Sequence, residues 1–321
     1  MENAISYLYG FTISKKISYK DKTVYYTDKG IFLFAKVEDA QKIYQLHNFI
    51  KNMNNTFKHI YTFYYNIYGD IISKINDHIF TLIKLDNDYS KKIDFIEMIE
   101  FYNWSFDNIP NTYKQKYTNN WVGLWEDKIN YLLTHFNNNI LNNKNYILIF
   151  NYYVSLAESS LEYLMKLNKN NLNNYKVVLS HRRIINSNIK LDFYNPLNLM
   201  IDIEQRDIGE YIKSLYYEDE DYINELHYYF KTHKLDSYNA AMLYARIIYP
   251  SIFFDDYESS NININKYINF KKYESFIKKI YEVISSYIKI SNIDWLKWYI
   301  YNTFNLGKLI FNHFFNASVQ S

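Results

Sequence analysis

Arginine is scarce in this chain: only Arg182, Arg183, Arg206 and Arg246 occur among 36 Lys and Arg residues. With Asn, Ile and Tyr abundant, this reads as A+T-rich coding, under which arginine persists mainly where lysine cannot replace its planar, five-donor fork. Two of the four follow a histidine, in Ser180-His181-Arg182-Arg183, and a third opens Arg206-Asp207, four residues beyond Asp202. Lys36, near the end of the 30–37 run, has the signature of a solvated strand-end lysine. Plainer roles compete elsewhere too. His181 can brace a loop by bonding to backbone, Arg206 and Asp207 can form an ion pair or a helix cap, and Arg246 can reach a buried carboxylate or carbonyl. His227 and His233 lack metal-ligand spacing, so no zinc site is expected.

Composition removes several other chemistries. The chain has no Cys, which excludes disulfides, cysteine-based metal sites and thiol nucleophiles. Its six glycines, at 10, 30, 69, 123, 209 and 307, are far apart, so no paired-glycine phosphate loop, dinucleotide fingerprint or nucleophile elbow exists. Net charge is +2, without the basic excess of a nucleic-acid binder. The 37 Tyr and 22 Phe are not interleaved with a basic stripe and read as core and contact surface. No run of about 18 apolar residues occurs, so no membrane insertion is expected. Met1 to Gly10 shows no basic region followed by an apolar core, so no signal peptide is expected.

These side chains must be positioned by two kinds of element. Residues 11–19, 22–27 and 30–37 are β-branched and aromatic runs separated by turn signals. A helical pattern follows over 37–50, with Glu38 and Asp39 at its positive end. The runs 59–68 and 70–75 flank Gly69 as a hairpin would, and 78–85 forms another strand. Beyond Leu85 the period becomes helical over 92–104, 121–141 and 144–167, with Asn-rich loops at 137–145 and 168–174. Short strands at 175–180 and 197–203 enclose an irregular loop, and helices begin near Asp207, Asp221, Ser237, Asn269 and Ile293. The expected architecture is α+β and bilobal: residues 1–86 form a small antiparallel β lobe with one helix, and residues 87–321 a larger, mostly helical lobe.

Within that layout, five stretches carry a family resemblance. They are Leu156 to Leu164, His181-Arg182-Arg183, Pro196-Leu197-Asn198 followed by Asp202, Arg206 to Ile212, and Leu243 to Pro250. Together they resemble the YutH branch of the CotS family, spore-coat-associated proteins of endospore-forming Firmicutes with an aminoglycoside-phosphotransferase-like kinase fold. All four arginines fall inside the match. In aminoglycoside and choline kinases the catalytic loop begins His-Gly-Asp, the Asp taking the hydroxyl proton, and a later strand ends in a magnesium-binding Asp.

The resemblance therefore implies a degenerate loop. Arg183 stands where those kinases carry the proton acceptor, and arginine stays protonated in proteins. Lys36 takes the place of the ATP-phosphate lysine, with no mid-helix Glu to partner it, and Asp202, or else Asp192, takes the place of the magnesium carboxylate. The leading expectation is a non-catalytic, pseudokinase-like protein that needs no cofactor. It would act by binding other spore coat proteins, first in the mother-cell cytoplasm and then in the coat. The alternative is an active ATP- and Mg-dependent phosphotransferase of a small-molecule hydroxyl, with Lys36 on the phosphates, Asp202 on Mg and an unconventional base. Between them lies a pseudokinase that holds nucleotide only as a structural ligand.

Overall fold

The structure is a computed structural model that describes residues 1–19, 22–53, 60–135, 144–167, 175–182, 184, 188–260 and 262–295. In chain order the first elements are α1 (Glu2–Tyr9), β1 (Ile13–Tyr19), β2 (Lys22–Thr27), β3 (Gly30–Val37), α2 (Ala40–Met53), β4 (Thr62–Tyr64), β5 (Ser73–Ile75) and β6 (His78–Leu85). Then follow α3 (Phe95–Asn108), α4 (Asn111–Lys116), α5 (Trp121–Thr134), α6 (Lys144–Lys166), β7 (Val177–His181), α7 (Lys190–Phe193) and β8 (Leu199–Ile203). The remainder is helical: α8 (Glu204–Tyr217), α9 (Tyr222–Thr232), α10 (Ser237–Ile248), α11 (Ser251–Glu258), α12 (Ile264–Tyr267) and α13 (Phe270–Tyr287). This is the expected α+β arrangement of an antiparallel sheet followed by a larger helical part. Among the described residues no helix is long and apolar enough to cross a membrane.

The sheet runs β1-β2-β3-β6-β4, with β5 also paired to β6. Register assigns its faces. Phe34 lies opposite Leu82 and Leu82 opposite Tyr64, so these three share one face. On that face Phe32, Phe80 and Leu82 pack with Ile5 and Tyr9 of α1 and with Phe11. The other face carries Leu33, Ile83 and Phe63 in line, and there His47 of α2 sets its ring 5.8 Å from Phe63. Helix α1 lies outside the elements expected from the sequence, which begin at residue 11.

The expected hairpin around Gly69 does not form between its two runs. β4 and β5 are each three residues long, and both pair with β6, at Leu82–Lys84 and His78–Phe80. Side chains serve the intervening backbone instead. The Asn66 carboxamide oxygen accepts from the Tyr68 and Asp70 N–H groups, its Nδ2 donates to the Ile72 carbonyl, and the Ile67 N–H donates to the Leu8 carbonyl. An Asx-type turn satisfied in this way competes with a ladder for the same donors.

The chain divides into one compact unit of residues 1–116 with 178–201 and a second of residues 117–177 with 202–321. Within the first unit the 188–194 segment is zipped onto residues 89–93. Its bonds run from the Ile93 N–H to the Asn188 carbonyl, from Lys190 to the Lys91 carbonyl and from Leu191 to the Tyr89 carbonyl. Lys190 Nζ also lies 2.8 Å from Asp88 and 3.0 Å from Glu97.

In the second unit α6 is buried over most of its circumference, as a helix packed on several sides must be. Its Tyr153 ring stacks on Phe253 at 4.5 Å and meets Tyr267 and Tyr273 edge-on. Helices α8 and α10 approach closely at Gly209, where an added Cβ would lie 2.7 Å from Arg246 Cγ and 3.0 Å from its Cβ. Alanine is favoured over glycine in a helix interior by about 1 kcal/mol. At this contact the sign should reverse: Gly209→Ala is expected to lower stability by about 1–3 kcal/mol through overpacking, measured by chemical denaturation.

Candidate functional site

The β7 and β8 strands form a two-stranded ribbon. The Arg182 N–H donates to the Asn198 carbonyl and the Glu204 N–H to the Lys176 carbonyl, so the strands run antiparallel. In the first unit, His181 is 1% exposed, donates from Nε2 to the Phe193 carbonyl at 2.9 Å, and packs against the Phe193 and Phe101 rings. It braces the loop. Arg182 is exposed, and Arg183 lies outside the described residues. Asn188, beyond Arg183, is buried. Asp192 is ion-paired with Lys22 of β2. Lys36 is exposed and falls in the alternation of Phe32 and Phe34, on the face that α1 covers, whereas α2 packs on the opposite face.

In the second unit Asp202, at the end of β8, is 4% exposed. Its Oδ1 accepts from the Tyr117 hydroxyl at 2.6 Å, from Trp121 Nε1 at 3.2 Å and from the Ile203 N–H at 2.8 Å. Its Oδ2 accepts from Arg206 Nη1 at 3.0 Å, one helical turn along at the start of α8. Three donors thus crowd Oδ1, while Oδ2 takes the guanidinium. Burial works to lower the Arg206 pKa, but the carboxylates of Asp202, Asp207 and Glu210 raise it overall. Magnesium needs near-octahedral oxygen ligands and usually keeps several waters. A carboxylate enclosed by an indole, a phenol and a guanidinium does not fit that requirement. No group of three or more His, Asp or Glu among the described residues could hold a metal. Asp207 is buried in the first turn of α8, and Arg206 makes its ion pair with Asp202.

A second buried charge cluster adjoins the first. Arg246 of α10 lies 2.7 Å from Glu210 Oε1, with its guanidinium 5.4 Å from the Trp121 ring centre and 5.8 Å from that of Trp125. Trp125 in turn stacks on Tyr249 at 4.1 Å. Lys213 is fully buried, 2.9 Å from Glu210 Oε1, and donates to the Tyr249 carbonyl, while the Ser251 hydroxyl donates to Glu210. Burial works to raise the Glu210 pKa, yet Arg246 and Lys213 hold it at about 2. Burial pushes Lys213 down to about 8 against the pull of Glu210.

Arg206, Asp207, Arg246 and Asp202 stand out in the sequence, whereas Tyr117, Trp121, Glu210 and Lys213, which complete their surroundings, do not. The signals present were the Trp121 and Trp125 spacing and the Glu210 and Lys213 spacing, each one helical turn.

The pH dependence follows from these pKa values. Glu210, depressed from 4.5 to about 2, contributes stability that is complete above 4.5 and is lost as the pH falls toward 2. Lys213, depressed from 10.5 to about 8, binds its proton more tightly in the unfolded chain. Stability from this residue therefore rises with pH above 8. Relative to a Lys213→Met variant, the unfolding free energy of the wild type should climb between pH 8 and about 9.5 by up to about 1.4 kcal/mol per pH unit. Equal slopes in urea denaturation would contradict the assignment.

Comparisons with known proteins bear on both units. No curated protein sequence matches the chain. Among solved structures, an aminoglycoside phosphotransferase from Alicyclobacillus acidocaldarius subsp. acidocaldarius DSM 446 aligns with a TM-score of 0.61 at 10% identity, over 89% of this chain and 95% of that one. Spectinomycin phosphotransferase APH(9)-Ia, in complex with ADP and spectinomycin, aligns with a TM-score of 0.55 at 12% identity, over 88% and 97%. At such identities the likeness establishes the fold, that of aminoglycoside phosphotransferases and the protein-kinase-like superfamily, and no activity. The family profile described as "Spore coat putative kinase YutH" matches residues 2–292, so the chain belongs to the YutH family of kinase-fold spore coat proteins.

Proposed function

We propose that the chain acts by binding, as a non-catalytic kinase-fold component of the endospore coat. The observation that carries this reading is the enclosure of Asp202. The carboxylate that a kinase of this fold turns toward magnesium is here bonded to Tyr117, Trp121 and Arg206. The sequence adds Arg183 where aminoglycoside and choline kinases carry a proton acceptor, and an arginine, which stays protonated, does not take the proton of an attacking hydroxyl. Lys36, on the α1 face of the sheet, is a solvated strand-end residue in this reading. Its partners would be other coat proteins, met first in the mother-cell cytoplasm. Exposed Tyr7, Tyr65 and Tyr68 supply the large amphipathic contacts that protein interfaces favour.

The competing reading, an ATP- and Mg-dependent phosphotransferase, draws on relatives whose structures contain ADP with spectinomycin or AMP-PNP with Ca2+. One assay separates the two. A ligand at about 100 times its Kd stabilises the native state by about 2.7 kcal/mol, which a thermal melt detects readily. With millimolar Mg·ATP we expect no change in Tm and no phosphate release. A rise in Tm without turnover would overturn the cofactor-free part of the proposal. Turnover that vanishes in Asp202→Ala would overturn it entirely.

A further inference from the structure

We propose that His233 is an acid-sensitive latch between the end of α9 and the start of α8. Uncharged, it seats the two helices together; on taking up a proton it loosens the end of α9 and the 233–236 connection to α10. Hydrogen bonds assign its resting proton. His233 closes α9, and its ring stacks on that of Tyr229 at 4.7 Å. Its Nδ1 lies 3.3 Å from the Tyr229 carbonyl, which can only accept, and 2.9 Å from Thr232 Oγ1, whose own proton goes to the Tyr228 carbonyl at 2.8 Å. Nδ1 therefore carries the hydrogen and Nε2 a lone pair. That lone pair faces Glu204 Oε1 at 3.6 Å, beyond hydrogen-bond reach. Two acceptors thus confront each other where the Glu204 side chain is fully buried and that of His233 is 11% exposed.

A second proton would be drawn by Glu204, but that carboxylate already has its cation. Lys176, just before β7, lies 2.8 Å from the other oxygen, and the positive end of α8 adds to the compensation. The Tyr229 hydroxyl keeps its proton, since burial and the Glu204 charge hold its pKa well above the ordinary value. Among the described residues, the titratable groups facing the imidazole are therefore Glu204 of α8, Lys176 of the segment before β7 and Tyr229 of α9 itself. With His233 neutral, this cluster carries no net charge. Protonation leaves one net positive charge withdrawn from water beside Lys176, which is costly. Burial accordingly pushes the His233 pKa below the usual 6.5, with Glu204 opposing the shift and Lys176 reinforcing it. The unfolded chain binds this proton more tightly, so the stability that neutral His233 supplies is complete above 6.5 and is lost as the pH falls below it. The latch does not depend on whether Asp202 supports phosphotransfer.

Three measurements on the full-length chain test it. In urea denaturation between about pH 7 and about pH 5, the wild type should lose stability faster than His233→Gln, the folded-to-unfolded ratios diverging by up to about tenfold per pH unit. Over the same range, amide protection at residues 230–236 should fall in the wild type and hold in the variant. The imidazole NMR resonance missing from His233→Gln identifies His233; its midpoint should lie below 6.5 and should rise in Lys176→Met, which removes the neighbouring cation. Should His233→Gln lack a cooperative melt, His233→Phe, which keeps the stack on Tyr229, replaces it. A midpoint at or above 6.5, a midpoint unmoved by Lys176→Met, or protection at 230–236 that stays constant while His233 titrates would each overturn the proposal.

Discussion

A carboxylate removed from water must find compensation inside the protein, and Asp202 at 4% exposure is such a group. Its four donors come from the residue after it, from the first turn of α8, and from Tyr117 and Trp121 at and before the start of α5. The indole that serves Asp202 presents its face to Arg246, which is ion-paired with Glu210, which is bonded to Lys213 and Ser251. Charges of alternating sign therefore run in one chain from the end of β8 through α8 to α10 and the start of α11. Removing one member of a buried pair leaves the other uncompensated, a cost of about 3–5 kcal/mol. Gly209 belongs to the same constraint, since only a residue without Cβ lets α8 come close enough for Arg246 to reach Glu210.

Tyrosine makes such an interior possible. Tyr102, Tyr153, Tyr194, Tyr229, Tyr244, Tyr267 and Tyr273 are among the largest fully buried side chains. Buried hydroxyls reach carboxylate, carboxamide or backbone oxygens: Tyr194 donates to Glu97 at 2.7 Å, Tyr244 to the Asn292 carboxamide at 2.6 Å, and Tyr163 to the Ser291 carbonyl at 2.9 Å. A ring that packs like Phe and also donates one bond can line a core threaded with carboxylates.

Local pattern made part of this legible from sequence. The runs at 22–27, 30–37 and 78–85 coincide with β2, β3 and β6, because β-branched and aromatic residues there fit a pleated, half-buried surface. The pairing of β4 and β5 was not legible, since Gly69 signals a turn but not which strand each arm joins. The start of α8 at Glu204, ahead of the anticipated Asp207, reflects a helix that begins directly from a strand without a side-chain cap. The Arg206 and Asp202 pair was within reach, being one helical turn apart. Tyr117 and Trp121 were not, because 85 and 81 residues separate them from Asp202 and only tertiary packing brings them together.

The sign of one stability change tests the central claim. If Asp202 is an internal hub, Asp202→Ala removes the ion-pair partner of the largely buried Arg206 and should lower the unfolding free energy by about 3–5 kcal/mol in urea or guanidinium denaturation. Carboxylates held open for a metal are commonly kept at the expense of stability, and their removal leaves it unchanged or raises it. A substantial loss is the result this account predicts. An Asp202→Ala protein as stable as the wild type, or more so, would contradict it.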